Sequence, residues 1–94
     1  MALVSLADVT ITATATKLSA TSIKANWVLI YGQSLAGAAR IGDSSISTTR
    51  GGIIPSTNTS LLLPSVGNTN SYDLSAIYIL GTANDKAAVI YNTV

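Results

Sequence analysis

The sequence predicts an all-β domain, a small antiparallel β-sandwich or barrel of about seven to eight short strands that ends in a C-terminal hairpin. Three observations carry that prediction. Branched and aromatic residues come in short runs, as in Ile77, Tyr78, Ile79 and Leu80 and again in Ala87 to Tyr91. One stretch, residues 9–16, alternates apolar with threonine at period two. Gly, Pro, Asn and Asp punctuate the chain between these runs, where a reversing backbone needs them.

In chain order, residues 1–8 (MALVSLAD) hold an apolar segment with no evident place in the core, so they read as an N-terminal arm ahead of one β domain over 9–94. Leu3, Val4 and Leu6 of that arm are candidates for contact with a neighbouring subunit. Residues 9–16 form a half-buried strand, with Val9, Ile11, Ala13 and Ala15 on one face and Thr10, Thr12, Thr14 and Thr16 on the other. That threonine face suits solvent or a neighbouring subunit equally, which makes Thr10, Thr12 and Thr14 further contact candidates. Residues 23–31 are the longest strand. Trp27, Leu29 and Tyr31 point one way, Val28 and Ile30 the other, so both faces are apolar and the strand is central.

Trp27 reads as the principal core anchor, and its truncation to Ala is expected to cost ~3–5 kcal/mol. Ile11, Leu29, Leu62, Ile77, Ile79 and Val89 complete the expected core. Short strands follow at 38–42, 53–54 and 60–63, with a strand fragment at 46–49, Arg50, Gly51 and Gly52 as a corner and Pro55 and Pro64 as stops. Residues 65–71 read as an exposed loop, and Asp73 caps one helical turn at 74–76. Gly81 to Lys86 then form the loop of the closing hairpin.

Composition narrows function more than it identifies it. The chain has 94 residues, a net charge of +1 and only 10% charged residues, with Thr, Ser and Asn serving in their place. A neutral polar surface suits protein contact, since no charge has to be desolvated. It does not suit nucleic acid, which needs clustered Lys and Arg. There is no Cys and no His, and the four Asp are far apart in sequence, so no metal, cofactor or acid–base pair is expected and the chain reads as a non-enzyme. The N-terminus lacks the basic region of a signal peptide, and no run reaches the ~18 apolar residues of a membrane span.

Several segments together resemble small virion proteins of tailed bacteriophages. They are GDSSISTTRGGIIP at 42–55, SLLLP at 60–64 and YDLSAIYILGTANDK at 72–86, with WVLI at 27–30 matching an early "WVxI" strand. The sharpest part is the pattern "YDLSxIYxxGTAxDK", and the likeness spans residues 9–91. Where the group has "PG" ahead of its "LP" strand, this chain has Pro55 followed by Ser56. The resemblance implies an all-β virion module, a head decoration (cement) protein or a piece of a fibre or tail, with no catalytic residues. A decoration protein would bind the major capsid protein outside the shell and hold capsomers together. A homotrimer is the expected assembly, because local three-fold positions are the gaps between capsomers. The alternative is a fibre- or tail-borne module that binds host-surface glycan through an exposed Tyr or Trp beside Asn or Asp.

Overall fold

The computed structural model describes residues 2–65 and 71–93. Among these lie ten strands and one 3-10 turn: β1 (Leu3–Ser5), β2 (Val9–Thr10), β3 (Thr16–Lys17), β4 (Lys24–Ser34), β5 (Ala39–Gly42), β6 (Gly52–Ile54), β7 (Ser60–Leu63), β8 (Tyr72–Asp73), the turn Leu74–Ala76, β9 (Tyr78–Leu80) and β10 (Lys86–Thr93). They make two antiparallel sheets in a sandwich-like arrangement. The larger runs β1-β10-β4-β7, with β2 beside β10 and β8 beside β4; the smaller runs β3-β9-β5-β6.

Period two decides what fills the space between the sheets. From the larger sheet come Val28, Ile30, Ala87 and Val89, and from the smaller Ile41, Ile54 and Ile79, each at most 3% exposed. Ile11, Leu18, Leu74 and Ile77 are buried with them. Leu74 is carried by the 3-10 turn, whose start is capped as expected: Asp73 Oδ1 accepts from Ser75 N at 2.9 Å. Arg50, Gly51 and Gly52 do turn a corner, with Gly51 at φ +110°. A Cβ at Gly51 would lie 2.7 Å from the Ile41 carbonyl oxygen, so both conformation and space require glycine there.

Four expectations are corrected. β9 and β10 do not form a hairpin: β9 pairs with β3 and β5, β10 with β1, β2 and β4. Residues 81–85 arch from one sheet to the other, with Asn84 at φ +74°. The strand over 9–16 is broken into β2 and β3. Ile11 N donates to Asp85 O at 2.7 Å and Gly81 N to Thr12 O at 3.0 Å, so the chain changes sheets here while clamped to the arch. Thr12 Oγ1 meets the Thr14 carbonyl and the Thr16 hydroxyl, both at 2.8 Å, and these local bonds replace a ladder.

The N-terminal segment is docked rather than free. Leu3, Val4 and Ser5 oppose Asn92, Tyr91 and Ile90, and Val4 and Leu6 pack against the core. Finally, Trp27, Leu29 and Leu62 are not core residues. Trp27 and Leu29 are half-buried and Leu62 is 55% exposed, because the sandwich interior takes the other face of β4, Val28 and Ile30. The exposed loop expected at 65–71 falls for the most part outside the described residues.

Candidate interaction surface

β4 is long enough to organise a surface as well as a core. Its register with β10 is continuous from Trp27↔Asn92 to Gly32↔Ala87, and breaks at both ends, where Asn26 and Gln33 are passed over. Such bulges fix which side chains face outward between them. Trp27, Leu29 and Tyr31 therefore point away from the core, and their cross-strand partners share that face: Asn92, Ile90 and Ala88 on β10. β7 adds Leu62 opposite Leu29 and Ser60 opposite Tyr31. β1 adds Leu3 opposite Asn92 and Ser5 opposite Ile90.

The result is an outer face crossing four strands with no charged side chain in these rows. Its central row reads Ser5, Ile90, Leu29, Leu62. Leu3 is 67% exposed and Leu62 55%, and Trp27, Leu29, Leu62, Pro64 and Ser65 line a shallow depression of about 410 Å³. Polar groups at its border are tied down. Ser65 Oγ donates to Asn26 Oδ1 at 2.6 Å, Tyr72 Oη to the Pro64 carbonyl at 2.8 Å and Tyr31 Oη to Asn58 Oδ1 at 2.7 Å. The border is held in place and the centre is apolar, which is the anatomy of a protein contact.

The residues expected to meet a neighbour do not gather on this face. Leu3 does lie on it. Val4 and Leu6 turn inward, and Thr10 accepts from Lys86 Nζ at 2.8 Å at the far end of β10. Thr12 and Thr14 sit in the crossover between sheets. Sequence reasoning missed Ile90 altogether and assigned Trp27, Leu29 and Leu62 to the interior. The available signal was that β4 is apolar on both faces, which one buried side does not require.

The carboxylates serve turns. Hydrogen bonds from Ser22 and Ser75, with Lys24 beside it, hold the Asp73 carboxyl far below the usual range, and Ser45 lowers that of Asp43. Asp85 Oδ2, buried, accepts from Ala36 N at 3.0 Å. Among the described residues no three of His, Cys, Asp and Glu converge on a metal-sized site, and no helix is long and apolar enough to cross a membrane. No protein-family model, curated protein or solved structure matches the chain.

Proposed function

We propose that this chain is a structural protein of a phage virion, a decoration protein that binds the major capsid protein outside the shell and stabilises the contacts between capsomers. The observation that carries the reading is the apolar centre of the larger sheet's outer face, where Leu3, Trp27, Leu29, Leu62 and Ile90 stand together and charge is confined to the ends, at Lys86 and at Lys24 with Asp73. A soluble monomer seldom leaves such a face open, and contiguous apolar patches mark contact surfaces. The segments at 42–55 and 72–86 that resemble tailed-phage virion proteins point the same way. In this reading the protein is a homotrimer seated at local three-fold gaps, with one outer face per copy against the shell.

A second reading, a fibre- or tail-borne glycan-binding module, draws on Tyr31, 37% exposed and hydrogen-bonded to Asn58. Immunogold electron microscopy of phage particles with antibody raised against the chain separates the two. Label over the head is the expected result. Label restricted to the tail moves the assignment to the glycan module, and unlabelled particles reject both. Leu29→Lys with Leu62→Lys is expected to leave a folded protein that no longer loads onto capsids; undiminished loading would remove this face as the contact.

A further inference from the structure

The outer face of the smaller sheet differs from that of the larger one. Arg40 on β5 lies between two aliphatic cross-strand partners, Leu80 on β9 and Ile53 on β6. These three, with Thr48, Gly81 and Thr82, border a depression of about 390 Å³. Lys17, opposite Tyr78, is on the same face of the sheet, whose strands carry no carboxylate.

Arg40 is half-buried, yet it has no counter-ion among the described residues. The one ion pair among the described residues is Lys24 with Asp73. Its guanidinium is instead anchored by one hydrogen bond, Nη1 to the Gly51 carbonyl at 3.0 Å. Gly51 takes the positive φ of the corner, which aims its carbonyl at Arg40. A guanidinium has five N–H donors, and this bond uses one. The remainder form a fork whose geometry fits a carboxylate better than a point charge does. The aliphatic side chains of Ile53, 46% exposed, and Leu80 flank the guanidinium and favour a ligand with an apolar body.

We propose that this depression is a binding site for a carboxylate carried on a short aliphatic body. Arg40 takes the carboxylate, Thr48 and Thr82 supply hydroxyls at the rim, and Ile53 and Leu80 hold the alkyl portion. A volume of this size accepts a residue or two of peptide. The same chemistry comes from a peptide C-terminus or from a free branched-chain acid. The site is on a different sheet from the proposed capsid contact and does not depend on it.

The test is titration of the labelled protein, followed by NMR, with N-acetyl-alanyl-leucine, its C-terminal amide, 3-methylbutanoate and inorganic phosphate. Saturable shifts at the Arg40 side chain and at Gly81 and Thr82 are expected with the free acids. The amide, and Arg40→Gln with the acids, should bind about 10- to 100-fold more weakly, as befits loss of a charge-assisted hydrogen bond. Tighter binding of the dipeptide than of 3-methylbutanoate identifies a peptide terminus as the source, and the reverse order a free acid. Equal binding of acid and amide, stronger binding of phosphate, or no shift with any probe overturns the proposal. If Arg40→Gln fails to fold, Arg40→Lys, which keeps charge and stem but not the fork, is expected to weaken binding about tenfold; unchanged affinity overturns it.

Discussion

The Asp73 carboxylate accepts from Ser22 Oγ at 2.6 Å, Ile23 N at 3.3 Å, and Ser75 N and Oγ at 2.9 and 2.7 Å, and pairs with Lys24 Nζ at 3.2 Å. One side chain thereby ties the entrance of β4 to the 3-10 turn that carries Leu74. Hydrogen bonds to the ionised form depress its folded-state pKa below the unfolded value of about 3.9. Its stabilising contribution is therefore complete above that unfolded value and is lost as pH falls toward the folded one. Urea midpoints measured from pH 6 to pH 2 should fall on acidification, and Asp73→Asn should flatten that fall while leaving the smaller share due to Asp43. An equally steep fall in the variant would reject the assignment. Gly51→Ala places a Cβ against the Ile41 carbonyl at positive φ, and is expected to cost about 1–3 kcal/mol in the same assay.

Strand by strand, the sequence is legible where one residue type can do only one thing. Asp73 before Leu74, Gly51 at a corner and the Ser60–Leu63 run ended by Pro64 all stand where local chemistry puts them. β4 was legible as a strand, and as a central one, but not in its orientation. Trp27 is larger than Val28, and size alone favours it for the core; register with β10 and β7 instead turns Val28 and Ile30 inward. Residues 81–86 have the composition of a hairpin loop and also of an arch, since either needs small and polar residues. Which strands the flanking runs pair with depends on β1, β3, β4 and β5, far away in sequence. Alternation over 9–16 misled for a related reason, because threonine hydroxyls can satisfy a bend as well as face solvent. Orientation of β4 is open to measurement. Ile30→Ala should cost ~2–5 kcal/mol and Trp27→Ala much less, ~1 kcal/mol. Removing residues 2–6 takes away β1 and the packing of Val4 and Leu6, and should cost about 2–3 kcal/mol.

Taken as a whole, the molecule presents two unlike outer faces on one sandwich: one on the larger sheet that is apolar and uncharged over its central rows, and a basic one centred on Arg40 on the smaller. Neither was readable as a face before the sheets were known, since each draws on strands scattered from one end of the chain to the other. A further consequence lies in the position of β10. It joins β1, β2 and β4 into one sheet, and it is made after all of them. Until residues 86–93 leave the ribosome, those three strands have no common partner, while β3, β5, β6 and β9 of the smaller sheet are already complete in sequence. Synthesis therefore runs ahead of folding. Until then the nascent chain holds exposed strand edges, and closure waits on pairing as distant as Leu3 with Asn92, the kind of long-range step that folds slowly. A chain stopped at residue 85 should show no cooperative melt, so premature termination yields an unfolded product that proteases can remove.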